Sequence, residues 1–170
     1  ELQHGGIPYI RITDNGCGIA REDVPTAFLR HATSKIKTGV DLGSIATLGF
    51  RGEALAAVSS VSRVEMFTRV KEEDFGTHYK IEGGEEVLNE ETGCPTGTTI
   101  IIRDLFYNTP ARMKFLKKDV SEANAAAAVA DRIALSVNIK LNCLFAADIR
   151  YVSDYRFYFK QTSALFANLH

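Results

Sequence analysis

The run Leu48-Gly49-Phe50-Arg51-Gly52-Glu53-Ala54-Leu55 sets two glycines around an arginine, directly ahead of a helix-forming stretch. Those residue types in that order suit a phosphate. Glycines let the backbone approach an anion, a helix start offers N–H groups and the positive end of its dipole, and Arg51 adds a charged donor. Taken alone, the pattern is more often just a tight connection. Upstream, Pro8 to Thr13 reads as a half-buried strand running into Asp14-Asn15-Gly16-Cys17-Gly18. An ionised Asp14 only accepts hydrogen bonds, which suits an exocyclic amine such as that of adenine, while Gly16 and Gly18 leave room for a flat base. On this stretch alone, an ordinary Asp-Asn-Gly hairpin turn is the favoured reading. A calcium loop counted from Asp14 is a poor third, because its twelfth position holds Pro25 where a glutamate is required.

Further along stand His31-Ala32-Thr33-Ser34-Lys35-Ile36, then Gly97-Thr98-Thr99, then Asp104-Leu105-Phe106-Tyr107-Asn108-Thr109-Pro110-Ala111-Arg112. Together with the two segments above, and in this order, they resemble the GHKL ATPases. Within that superfamily the chain resembles the N-terminal ATPase region of bacterial MutL-type DNA mismatch repair proteins, from roughly Gly5 to Ser136. Gyrase and the sensor kinases share the Asp-x-Gly-x-Gly element but are not expected to carry both the Gly49–Leu55 and the Asp104–Arg112 runs.

The resemblance implies that Asp14 accepts the adenine amine, that Gly18 packs beside the ring with Gly16 in the same turn, and that Thr98 supports the pocket from a neighbouring strand. It places Lys35, Gly49, Arg51, Gly52, Ala54 and Leu55 around the phosphates, with Thr33, Ser34, Leu48 and Glu53 completing the nucleotide set. Arg51 has a second role open to it, holding the lid by pairing with a carboxylate. The implied ligands are ATP and Mg2+. The implied partners are a second copy of the chain, a MutS-type mismatch recognition protein and DNA, bound weakly and without sequence preference. The implied setting is the bacterial cytoplasm, with no membrane. In such proteins ATP orders the lid and drives dimerisation, so that mismatch recognition is coupled to downstream strand processing. A non-catalytic dimerisation or interaction module on the same scaffold, or another GHKL ATPase such as a topoisomerase subunit, are the alternative readings.

Two departures from the family pattern stand out. GHKL ATPases carry a general-base glutamate and a magnesium-binding asparagine on a helix ahead of the Asp-x-Gly-x-Gly strand, and only thirteen residues precede Asp14 here. Glu1 reads as part of the strand before Asp14 and cannot stand over the phosphates as a base. No catalytic residue is therefore assigned in the chain, the general base is expected upstream of Glu1, and the chain alone is expected to hydrolyse ATP weakly or not at all. Beyond Ser136 the likeness stops abruptly. Residues 1–136 read as a partial ATPase domain, and residues 137–170 as a divergent tail of the kind that a shifted reading frame, an assembly artefact or real divergence produces.

Composition fits one substantial core, with 170 residues of which 45% are hydrophobic. Twenty basic against twenty-one acidic residues give a net charge of −1, which argues against a nucleic-acid-binding surface overall but permits a local patch. Arg112, Lys114, Lys117 and Lys118 form the candidate DNA patch, although a solvated basic face is the commoner meaning of such a run. The three cysteines are odd in number and widely spaced, which speaks for a reducing compartment and against a zinc site.

The elements that must position these residues read as α+β. The expected fold is the GHKL, or Bergerat-type, two-layer α/β sandwich: a mostly antiparallel sheet with helices on one face, incomplete at the N-terminus. Strands are expected near 9–13, 63–70, 78–82, 85–88 and 98–104, with Gly83-Gly84 as a hairpin turn. Helices are expected at 22–30, 52–60 and 119–136. The last has Asp119 and Glu122 at capping-box spacing and Ala123, Ala126, Ala130 and Ile133 on one buried face. Gly39 to Leu48 is the candidate lid.

Overall fold

The computed structural model describes residues 1–31, 52–137, 142–146 and 151–154. They divide into two compact units, one of Ile7–Phe115 and one of Glu1–Gly6 with Leu116–His170. In chain order the strands are β1 (Leu2–Gln3), β2 (Tyr9–Asp14), β3 (Arg63–Arg69), β4 (Gly76–Glu82), β5 (Glu85–Thr92), β6 (Gly97–Arg103), β7 (Asn142–Ala146) and β8 (Tyr151–Asp154). The helices are α1 (Val24–Ala27), α2 (Ala54–Ser59), α3 (Pro110–Met113) and α4 (Asp119–Val137).

The first unit holds a sheet in the order β5-β4-β3-β6-β2, with every neighbouring pair antiparallel. β3, β4 and β5 follow as successive hairpins, and Gly83 and Gly84 make the expected turn with φ of 59° and 93°. β6 then returns to the far side of β3 and pairs with β2. Side chains alternate across this sheet, so its registers stack into rows. Ile10, Ile102, Val64 and Ile81 form one row, and Ile12, Ile100, Met66 and Tyr79 the next. Val24 of α1, Phe28 just beyond it, and Leu55 and Val58 of α2 pack on these rows to make the core. Each fully buried aliphatic or aromatic side chain there contributes about 1.5–3 kcal/mol. Phe28 stacks on Tyr79 with ring centroids 5.2 Å apart. Burial, and the hydrogen bond that its hydroxyl donates to Glu86, push the Tyr79 phenol up to about 12.

The opposite face of this sheet carries charge. Glu65 receives His78 Nε2 at 2.9 Å, Lys80 Nζ at 3.2 Å and Arg103 at 2.9 Å, while His78 also reaches Glu90 at 3.0 Å and stacks on Phe67 at 4.3 Å. Partial burial pulls the Glu65 carboxyl up, but the bonds from His78, Lys80 and Arg103 outweigh it and hold it below the usual carboxylate range.

The Asp104–Arg112 run folds as a corner at one end of β6. Arg63 pairs with Asp104 and lies over the Tyr107 ring at 4.4 Å. Leu105 N–H donates to Ile7 O at 2.8 Å, Phe106 N–H to Val61 O at 2.7 Å, and Asn108 Nδ2 to Ser60 O at 2.9 Å. The run thus ties together the end of α2, the start of β3 and the segment entering β2.

In the second unit β1 pairs with β7 in parallel and β7 with β8 antiparallel. Three expectations are corrected here. Glu1 does not lie in the strand that reaches Asp14, because a 3-10 turn over His4–Gly6 separates β1 from β2. Asp119 and Glu122 do not form the expected capping box. Glu122 N–H donates to Lys118 O at 3.2 Å, its carboxylate reaches back to Lys117 N–H at 2.8 Å, and Asp119 faces His4 at 3.4 Å. Ile133 does not join a buried stripe, being 39% exposed, whereas Ala123, Ala126 and Ala130 are half-buried. The helix expected at 22–30 is also shorter, a 3-10 turn at Arg21–Asp23 and then α1, since Pro25 suits only a first helical turn.

Candidate functional site

The third row of the first unit's sheet departs from the two below it. Asp14 on β2, Thr98 on β6, Thr68 on β3 and Thr77 on β4 lie side by side on the face that the helices cover. Asp14 accepts Gly16 N–H at 2.8 Å and Thr98 N–H at 3.3 Å, both on Oδ1. The two amides fix the carboxylate's direction, and Oδ2 can accept a donor from a ligand. Two residues back on the same face, Ile12 is 56% exposed, so an acidic acceptor stands beside an apolar ledge. That pairing suits a flat heterocycle bearing an amine.

Two glycines allow the close approaches. Gly18 has φ of 77°, and a Cβ there would run into the Arg69 carbonyl; Gly97 has φ of 114°, and a Cβ there would overlap the Asp14 carbonyl. Thr68 is a site residue that the sequence reading passed over. It is fully buried, and its Oγ1 accepts Ile19 N–H at 2.9 Å while lying 3.2 Å from Gly97 O and 3.0 Å from Thr98 Oγ1. Its signal was present: a threonine in the core-facing register of Val64 and Met66 breaks an otherwise apolar alternation.

Of the expected phosphate set, Thr33, Ser34, Lys35, Leu48, Gly49 and Arg51 lie outside the described residues, as does the candidate lid. The remaining members form the entry to α2. Gly52 has φ of 61°, Glu53 is the N-cap with no side-chain cap bond, and Ala57 N–H closes the first turn on Glu53 O at 2.9 Å. Ala54 and Leu55 therefore stand in the first turn, where N–H groups have no partner within the helix. The Leu55 side chain packs on the core, so only its backbone can serve an anion. Glu53 also receives His31 Nδ1 at 3.4 Å.

The basic candidates are all exposed but fall in different units. Arg112 and Lys114 belong to the first, with the Arg112 guanidinium 5.9 Å from the Phe106 ring centre; Lys117 and Lys118 belong to the second. Among the described residues no group of three or more His, Cys, Asp or Glu could hold a metal ion, so the described part of the site does not by itself fit Mg2+. No described helix is long and apolar enough to cross a membrane.

The chain is 54% identical over 136 residues to the DNA mismatch repair protein MutL of Agathobacter rectalis and 52% identical over 136 residues to that of Acidobacterium capsulatum. Both matches cover 80% of this chain, which spans only 21% and 20% of those relatives. No protein-family model matches. Among solved structures, the Aquifex aeolicus MutL ATPase domain complexed with ADP has a TM-score of 0.59 at 30% identity, covering 79% of this chain and 45% of that one. The ATPase domain of the mismatch repair endonuclease MutL of the same organism has a TM-score of 0.61 at 26% identity, covering 94% of this chain and 53% of that one.

Proposed function

Because this chain is a segment of the MutL-type ATPase region over the 80% of its length that aligns, we propose that it builds the adenine side of an ATP pocket in a mismatch repair protein. The observation that carries this is the polar row itself. Asp14 is aimed by two amides beside an exposed Ile12, with Gly18 and Gly97 at two positions where a Cβ would run into the Arg69 and Asp14 carbonyls. Asp14 would accept the adenine amine, Thr98 would offer its hydroxyl to the same edge, and Gly16 and Gly18 would lie against the ring. Gly52 to Leu55 would bring backbone N–H groups to the phosphates, with Thr33, Ser34, Lys35, Leu48, Gly49 and Arg51 completing that end. The relative solved with ADP supports a nucleotide as ligand. Mg2+ would arrive with the phosphates.

In this reading the residues named above bind the nucleotide. In the whole protein, ATP would favour the state with an ordered lid and so gate self-association. Such a ligand shifts the equilibrium only by as much as it prefers that state. A MutS-type partner, weak DNA binding through Arg112, Lys114, Lys117 and Lys118, and a cytoplasmic setting belong to the same proposal, as does the division into residues 1–136 and a tail of 137–170. The test is calorimetric titration of the chain with a non-hydrolysable ATP analogue and Mg2+, beside Asp14→Ala. Saturable binding that the variant loses is the expected result. Equal binding by both would overturn the assignment of Asp14.

A further inference from the structure

Thr68 sits one strand further into the sheet than the residues given to the base, and three polar groups converge on its single hydroxyl. A hydroxyl has one hydrogen to give and two lone pairs to receive with. One lone pair is taken by Ile19 N–H at 2.9 Å, which pins the loop just after Gly18. The hydrogen can then go to Gly97 O or to Thr98 Oγ1, not to both. If it goes to Gly97 O, Thr98 turns its own hydrogen inward to Thr68 and shows a ligand only lone pairs. If it goes to Thr98 Oγ1, the Thr98 hydrogen is released to point at a ligand. We propose that Thr68 is the positioning residue of this pocket, fixing the Gly18 loop and setting whether Thr98 meets the ligand as donor or acceptor. This rests on the adenine reading above. An adenine edge presents an amine to Asp14 and, next to it, a ring nitrogen that requires a donor, so bound adenine selects the arrangement in which Thr68 donates to Thr98.

The test uses the 170-residue chain with Thr68→Val, which keeps the volume and removes the hydroxyl, and Thr68→Ser, which keeps the hydroxyl. Backbone amide exchange and analogue affinity are read on both. In Thr68→Val the Ile19 amide should lose its protection while the β3 and β6 ladder amides keep theirs, and ATP analogue binding should weaken about tenfold, as expected when a buried donor is left unpaired. Thr68→Ser should restore both. Against an analogue with carbon in place of the ring nitrogen beside the amine, the loss in Thr68→Val should be larger, because Thr98 then has neither an inward acceptor nor a ligand acceptor for its hydrogen, an effect that a merely structural role would not produce. An unchanged Ile19 amide, or an equal loss for both analogues, would overturn the proposal. Should Thr68→Val not fold, the unmodified chain decides, since an Ile19 amide exchanging at the unprotected rate is incompatible with the bond. Failure of the unmodified chain to bind any adenine nucleotide would instead overturn the adenine reading, and with it the role given to Thr98, while the Ile19 result still judges the loop.

Discussion

Asp14 works through direction, because two amides hold one of its oxygens and leave the other for a ligand. Asp14→Asn keeps the size but exchanges a charged acceptor for an amide, so ATP analogue binding should fall by about ten- to a hundredfold, the range for a hydrogen bond to a charged group. Titration calorimetry on the folded variant measures it. Cys17, exposed between Gly16 and Gly18, reports on the same loop. Cys94 is half-buried and burial pushes its thiol up, so a maleimide should label Cys17 before Cys94, and saturating nucleotide should slow the Cys17 labelling. On the other sheet face, Glu65 is held below the usual carboxylate range. A depressed carboxyl adds stability above its unfolded value, and that stability is lost as pH falls through the folded value. Glu65→Gln should therefore be less stable than the parent near neutral pH, with the gap closing on acidification below the ordinary carboxyl value of 4.5; denaturant melts at several pH values would show it.

At the scale of elements, β6 depends on its first residue. Gly97 combines φ of 114° with a carbonyl in the space a methyl would need, so Gly97→Ala should cost about 1–3 kcal/mol and displace Asp14 with it. A thermal melt together with analogue binding should show both losses at once. The strands were legible because β3 and β4 alternate over most of their length and Gly83-Gly84 is a strong turn signal. The adenine side of the site was legible because Asp14, Gly16, Gly18 and Thr98 lie in two short segments that pair in register. Thr68 was legible only as a polar residue in the core-facing register of Val64 and Met66; its role comes from standing beside Thr98 and Thr77 on strands distant in sequence, which that break does not encode. The start of α4 misled for a different reason. Asp119 and Glu122 have capping-box spacing, but His4, over a hundred positions away in sequence, offers Asp119 a tertiary partner. Ile133 misled likewise, since periodicity names a face but not what covers it.

For the whole molecule, ligand binding and stability are linked. If the pocket binds the folded state alone, an analogue at a hundred times its dissociation constant adds about 2.7 kcal/mol, which raises the melting temperature by several degrees. Differential scanning fluorimetry should show that rise in the parent and none in Asp14→Ala. With a net charge of −1, long-range attraction to DNA is weak, and any binding through the exposed basic residues should vanish as salt is raised. One feature of the fold bears on how the protein behaves when crowded with its own copies. β5 ends the strand order of the first unit, and along it stand Glu85, Glu86, Glu90 and Glu91, all exposed, with Val87 also 57% exposed. An approaching copy that offers its own β5 meets like charge before any backbone pairing can form. That protection is colloidal and conditional. In concentrated solution at high salt, which screens those charges, scattering should rise while circular dichroism still reports a folded chain, and Val87→Lys should delay it. The same strand that is inert at low salt would then be where the solution begins to gel.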